Sequence, residues 1–290
     1  MKALEGSFPM TKLCRLLGVS RSSILYRSIR RTPVSLEPLK DEIKNLRDKD
    51  KLLRSYGFVR LFQELRRGPT VASREDVRRA FDEMKLLKRR SPWKARTTNS
   101  NHDHPRFPNL VKEMKAEYPD QIWVADVTYI QLHASFAYLA LLMDVFTRRI
   151  VGWELSLCND TYLTLAALKM GLKLGSSPDI HHSDQGSNYA SHRYVNNLHA
   201  RGIQVSMAAV GKAYENGYAE RLNRTVKEEE VFFEDYKDLA QANQSLAGYI
   251  QGYNHRRIHS SLSWKTPMEV FQDWVKDNLD NLDRPLCHTT

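Results

Sequence analysis

Trp123-Val124-Ala125-Asp126-Val127-Thr128-Tyr129-Ile130 sets one carboxylate inside a run of apolar, β-branched and aromatic residues. Such a run reads as a buried strand. An ionised side chain there is costly unless it is paired or metal-bound, so Asp126 calls for a cation. Two further acids stand in related contexts. Asp184 follows the apolar stretch from Pro178 to His182 and opens Ser183-Asp184-Gln185-Gly186-Ser187-Asn188-Tyr189, turn chemistry between a strand and a helix. Glu220 follows after thirty-five intervening residues, within a helical stretch.

Three carboxylates are the ligands that a hard cation asks for. Mg²⁺ prefers oxygen donors and keeps several waters, so carboxylates and substrate phosphate oxygens fill its sphere without His or Cys. Two such ions can lower the pKa of a water or hydroxyl nucleophile and stabilise the leaving oxygen of an in-line phosphodiester displacement. Each acid also has an ordinary reading. Asp184 can be a helix N-cap or turn residue, and Glu220 a glutamate on a helix surface. Asp126 is the one that no surface role explains.

In the helix after Asn216, Glu220, Arg224 and Lys227 are spaced i, i+4 and i+7 and share one face. That face is either a solvated ion pair or a place where metal and DNA phosphates meet together.

The words around the acids closely resemble those of insertion-sequence transposases related to retroviral integrases, the DDE superfamily. Trp123 to Tyr129 resembles the first catalytic strand, Asp144-Val145-Phe146-Thr147-Arg148-Arg149-Ile150-Val151-Gly152-Trp153 the hairpin after it, and His182 to Ser187 the second acidic block. Asn216-Gly217-Tyr218-Ala219-Glu220-Arg221 resembles the third block. Tyr253-Asn254-His255-Arg256-Arg257-Ile258-His259-Ser260-Ser261-Leu262 with Thr266-Pro267 resembles the signature beyond the glutamate. Two positions depart from the pattern: Glu215, often Asp, and Ile258, often Pro. Glu215 is the rival for the third acid, but it stands five residues too early and ahead of the helix, so Glu220 is preferred.

The resemblance implies a ribonuclease-H-like mixed-sheet core, an OrfB-type product of a frameshifting insertion sequence, and DNA integration or recombination by a polynucleotidyl transferase. It implies Asp126, Asp184 and Glu220 as catalytic residues and ligands of two Mg²⁺ ions, with Mn²⁺ as a substitute. It also implies a basic residue near Lys227, and DNA contact or bracing of the site for Asn254, Arg257 and His259. A homo-oligomer on DNA, and fusion with an upstream reading-frame product, are further expectations. A nuclease that cuts without joining, and a non-catalytic DNA-binding derivative, are the alternatives.

Charge agrees with a nucleic-acid partner. The chain carries 44 Lys and Arg against 34 Asp and Glu, and residues 1–120 hold 28 of those cations against 15 acids, so the rest is slightly acidic. A basic front joined to a catalytic half fits phosphate contacts that supply sequence-independent affinity. Cys14, Cys158 and Cys287 are far apart, which predicts a reduced cytoplasmic protein without a zinc cluster. No apolar stretch approaches membrane-spanning length, so no membrane partner is expected and the nucleoid is the expected location.

The front itself reads as helices. Thr11 to Leu17, a turn at Gly18-Val19 and a helix capped by Ser20 form a helix-turn-helix pattern over residues 1–35, whose second helix presents Arg21, Ser22, Ser23 and Arg27 to a major groove. Residues 36–87 predict a charged amphipathic helix over 36–55 and a further helical pair, with a capping box at Ser73 and Asp76. That subdomain resembles a second helix-turn-helix, or is only a spacer. Residues 88–108 read as a basic linker, 109–275 as the catalytic core and 276–290 as a tail. Within the core, strands are predicted near 121–130, 136–143, 149–156, 178–183 and 203–207, with helices over 160–174 and 188–200 and a long one from Asn216. This α/β order predicts a mixed sheet with helices on both faces and the acids at one end.

Overall fold

Alternate residues of the central strand serve two different cores. In β1 (Ile122–Gln131), Ile122, Val124 and Ile130 pack into one hydrophobic layer, while Trp123 and Ala125 pack into the other. In β2 (Phe136–Asp144), Leu139, Leu141 and Met143 join the first layer, and Ala140 and Leu142 the second. A sheet covered on both faces needs apolar side chains at nearly every position, which is why these runs look continuous rather than alternating. The computed structural model describes residues 10–16, 18, 35–86, 105–173, 175, 177–209 and 212–282.

β3 (Ile150–Ser156) completes an antiparallel meander with β1 and β2. β4 (Ile180–Ser183) pairs parallel with β1, and β5 (Gln204–Met207) parallel with β4, giving the order β3-β2-β1-β4-β5. The expected mixed sheet is therefore the sheet observed.

In chain order the described helices are α1 (Met10–Leu16), α2 (Glu37–Lys49), α3 (Phe58–Arg67), α4 (Arg74–Glu83), α5 (Thr161–Leu172), α6 (Ser187–Ala190), α7 (His192–His199), α8 (Gly217–Glu229), α9 (Leu239–His255) and α10 (Pro267–Leu282). Helices α5 and α7 cover one face of the sheet, and α8 and α9 the other. Helix α5 lies directly on backbone: a Cβ at Gly152 would stand 2.2 Å from the Ala167 carbonyl oxygen, and one at Gly171 would stand 2.9 Å from the Trp123 ring.

Two expected helices are broken by polar caps. Instead of one helix over 36–55, α2 stops at Asp50, whose carboxylate accepts the Leu52 N–H at 2.9 Å and starts a 3₁₀ turn, Lys51–Ser55. That turn sends Leu52 and Leu53 inward. Instead of one helix over 188–200, Ser191 ends α6 and caps α7 by accepting the Tyr194 N–H at 3.3 Å. Short polar side chains compete with the helix for backbone donors, which makes both residues good caps and poor interior residues.

The front helices share a core with the catalytic part. Ile43, Leu52, Tyr56, Leu61, Val77 and Phe81 belong to the same buried cluster as Leu222, Val226, Leu246 and Ile250 of α8 and α9. At the junction sits a buried charge network. Glu229, at the end of α8, accepts from Arg257 twice, Nε to Oε2 at 2.6 Å and Nη2 to Oε1 at 2.7 Å. Arg60 of α3 adds a third contact at 3.0 Å, and the Tyr249 hydroxyl donates a fourth at 3.3 Å. Around it, Lys51 reaches Glu230 and Glu234, Arg256 reaches Asp50, and Arg67 reaches Glu269. Burial pushes the Glu229 pKa up, but the charges and hydrogen bonds of Arg257 and Arg60 together outweigh it and hold the group at about 2.

Removing one partner of a buried pair leaves the other charge uncompensated, at a cost of about 3–5 kcal/mol. Glu229→Gln should lower the unfolding free energy by that amount in urea denaturation followed by tryptophan fluorescence. A loss under about 1 kcal/mol, the range of exposed pairs, would contradict the burial described. Because folding depresses this pKa, the stabilisation is present above the ordinary glutamate range and is lost as pH falls toward 2.

Candidate active site

The acids are brought together by strand register and by one helix. β1 and β4 run parallel with Ala125 opposite Ser183, so the next residues, Asp126 and Asp184, stand side by side where β4 ends. Asp184 leaves the strand in an Asx turn, its Oδ1 accepting the Gly186 N–H at 3.0 Å. Across β1 lies α8. The Asn216 amide donates to the Ala125 carbonyl at 3.0 Å, and the Asn223 amide donates to Asp126 Oδ2 at 2.8 Å. The Lys227 ammonium lies 4.0 Å over the Tyr129 ring. Asn216, Asn223 and Lys227 meet β1 in ascending order, so α8 runs along the strand and turns Glu220 toward its acids.

Asp126 keeps an opening onto a cleft that Asp184, Asn159, Asn188, Thr128 and Tyr129 also line. Its Oδ1 accepts the Val127 N–H at 2.9 Å. Burial first, then the charges of Asp184 and Glu220, push its pKa up to about 8, against the weaker pull of its two hydrogen bonds. Glu220 is more exposed. Burial raises its pKa, the nearby Arg224 opposes that, and Asp184 adds to it. The three groups therefore sense one another as negative charges competing for one region. Among the described residues, no three Asp, Glu, His or Cys side chains converge closely enough to enclose an ion as they stand. The chemistry of the donor set nevertheless fits a hard cation: carboxylate oxygens raised by mutual repulsion, an amide bonded to Asp126, and a buried Asn223 Oδ1 with no hydrogen-bond partner.

Other expected site residues are distributed more widely. Arg21, Ser22, Ser23 and Arg27 lie outside the described residues. Arg224 is exposed beside Glu220, while Lys227 is half-buried over Tyr129. Asn254 clamps the start of β3, its Oδ1 accepting the Ile150 N–H at 2.8 Å and its Nδ2 donating to the Ile150 carbonyl at 2.9 Å. Arg257 is 4 % exposed and turned onto Glu229. His259 packs edge-on against Tyr253 and accepts from Arg257; burial and that cation drive its pKa down to about 2, so the ring is neutral. Glu215, the rival third acid, caps the loop ahead of α8 by accepting from Asn109 and the Ala209 N–H, each at 2.9 Å.

Asn216 and Asn223 are the residues that sequence reasoning passed over. Both flank Glu220, and Asn223 shares its face at i+3. Charge drew attention to Arg224 instead, although the amide is what reaches Asp126.

Two integrase core domain family models match the chain, one over residues 116–213 and the other over 201–267. The chain is 32% identical to the transposase for insertion sequence element IS629 of Shigella sonnei, covering 80% of this chain and 78% of that protein. It is also 32% identical to the transposase for insertion sequence element IS904 of Lactococcus lactis subsp. lactis (strain IL1403), covering 84% of this chain and 98% of the relative. Among solved structures, the HTLV-2 integrase catalytic core domain in complex with magnesium is similar at 19% identity and a TM-score of 0.45, covering 54% of this chain and 99% of that one.

Folding raises the Asp126 pKa, so between roughly pH 4 and 8 the folded chain holds a proton that the unfolded chain has released. Stability without metal should fall as pH rises through that window. Asp126→Asn should flatten the fall and melt at a higher temperature than the parent at pH 8 in EDTA, read by differential scanning calorimetry. Equal pH profiles for the two proteins would mean that Asp126 is ionised throughout.

Proposed function

Because this chain belongs to the insertion-sequence transposases that carry an integrase core domain, we propose that Asp126, Asp184 and Glu220 are the residues with which it cuts and joins DNA. The observation that carries this reading is the placement of Asp126 beside Asp184 by parallel register, with α8 hydrogen-bonded to the same carboxylate.

The three carboxylates would hold two Mg²⁺ ions, for which Mn²⁺ substitutes. When bound, such ions supply nucleophile activation and stabilisation of the leaving oxygen in phosphodiester displacement. The chain's own residues do the rest. Asp126 gives up its proton as the site is charged, and Asn223 keeps that carboxylate oriented, as outer partners of ligands do. Lys227, partly desolvated over Tyr129, offers a cation to a DNA phosphate beside the acids, with Arg224 at the more exposed rim. In the first displacement water attacks the phosphorus at the element end and the 3′-oxygen leaves; in the second, that freed 3′-hydroxyl attacks a target phosphodiester and displaces the target strand's own 3′-oxygen. Neither needs a covalent bond to the protein.

The helix-turn-helix residues Arg21, Ser22, Ser23 and Arg27 would recognise the element's ends. Two ends must be cut and joined together, so the acting form is a multimer on DNA, with or without fusion to an upstream reading-frame product. Such a protein works on the nucleoid in the cytoplasm. Among the described residues no helix is long and apolar enough to cross a membrane.

Purified protein, Mg²⁺ and DNA carrying the element's ends should yield nicked and joined products. Asp126→Asn and Glu220→Gln should bind DNA yet give neither product. Asn223→Ala, acting through Asp126, should lose about 10–100-fold. Cleavage without joining by the parent would favour a nuclease, and full activity in the Glu220 variant would return the third acid to Glu215.

A further inference from the structure

On the side of α8 turned away from Asp126 lies a second cavity of about 320 Å³, lined by Arg60 of α3, Arg148 of the β2–β3 turn, Arg221 of α8, Arg257, Ser260 and Ser261. No carboxylate is among its lining residues. Two of these arginines, Arg257 and Arg60, are paired with Glu229. Arg221 makes no ion pair or hydrogen bond among the described residues. The guanidinium of Arg148 stacks 4.0 Å over the Tyr218 ring, and its Nη1 is buried without any hydrogen-bond partner.

Arg148 is held there by the backbone. Its φ of 65° lies in the left-handed region, which disfavours a residue that carries a Cβ. The turn is fixed by Asp144, a fully buried carboxylate that accepts from the Thr147 N–H at 2.9 Å, the Thr147 hydroxyl and the Asp120 N–H at 3.0 Å. A buried donor with no acceptor on Arg148, and an Arg148 and Arg221 that no acid meets among the described residues, ask for an anion in a cavity that Arg60 and Arg257 also line. Guanidinium forks match phosphate oxygens in both charge and geometry.

We propose that this cavity binds a backbone phosphate of the DNA, a reading that rests on the function proposed above. A helix with its side chains is about 10–12 Å across, or about three base steps of duplex at 3.4 Å per step. One DNA molecule can therefore reach the acids on one side of α8 and the arginines on the other. Because the cavity joins α3, the β2–β3 turn and α8, the phosphate seated in it ties the front helices and the catalytic helix to a second point on the substrate.

The test is duplex DNA binding by the full chain across a salt series. Arg148→Gly removes the guanidinium while suiting the left-handed backbone, and Arg221→Gln changes an exposed side chain, so both should fold. Each should lower the slope of log affinity against log salt by up to about 0.9, the loss of one phosphate contact, and the double variant by no more than that same single contact. Unchanged slopes in variants that melt like the parent would overturn the cavity assignment alone. Thermal stabilisation by inorganic phosphate that Arg148→Gly abolishes, with the DNA slopes unchanged, would also overturn it and give the cavity to free phosphate. A parent chain with no salt-dependent DNA binding would overturn the transposase reading itself.

Discussion

Glu229 is buried with two arginines pointing at it, and the position of α8 follows from that meeting. The helix carries Glu220, Asn223 and Lys227 along β1, and just ahead of it Asn216 bonds the strand backbone. Its far end is fixed by charge: Arg257 grips Glu229 from beyond α9, and Arg60 reaches the same carboxylate from α3. An ion pair taken out of water repays its desolvation only when its geometry is good and the remaining lone pairs are bonded. Here both oxygens of Glu229 are bonded, and the Tyr249 hydroxyl adds to them. The network ties together parts of the chain that hydrophobic burial alone would hold less specifically: front helices, catalytic helix and the Tyr253–Leu262 signature.

At the other end of the same helix the electrostatics are reversed. Asp126, Asp184 and Glu220 raise one another's energy, and burial makes the conflict sharper for Asp126. Stability is lowered locally as a result. Glu229 is a carboxylate satisfied from within the chain, and Asp126 one held ready for something the chain does not supply. The contrast separates a structural acid from a site acid more clearly than depth does, since both are closely surrounded by protein.

Much of this was legible in the residues. Period-two burial on both faces gave the strands their continuous apolar look, and the acid in Trp123–Ile130 stood out for that reason. The strand limits fell within about two residues of the observed ones because β-branched runs end at turn residues. What could not be read were relations between distant segments. Nothing local announces that Glu229 will meet Arg257 and Arg60; the basic signature around Arg257 reads as DNA contact or bracing of the site without naming the acid it meets. Asn223 carries no charge, so a search for charge passed over it. Arg148 in a left-handed conformation is set by the Asp144 turn rather than by any preference of arginine. The breaks at Asp50 and Ser191 were within reach, since both are good N-caps, but amphipathic spacing on either side masked them.

The clamp on α8 also sets an order in time. The sheet acids lie on β1 and β4, early in the catalytic part, whereas Arg257 follows Glu229 by 28 positions. A ribosome adding roughly 5–20 residues per second exposes Asp126 several seconds before the residue that secures the helix carrying Glu220. Until Arg257 emerges, Glu229 is a buried-to-be charge with half its partners missing, and α8 rests on β1 by its apolar face and its asparagines alone. A polypeptide interrupted in that interval would carry Asp126 and Asp184 on the sheet without an anchored Glu220.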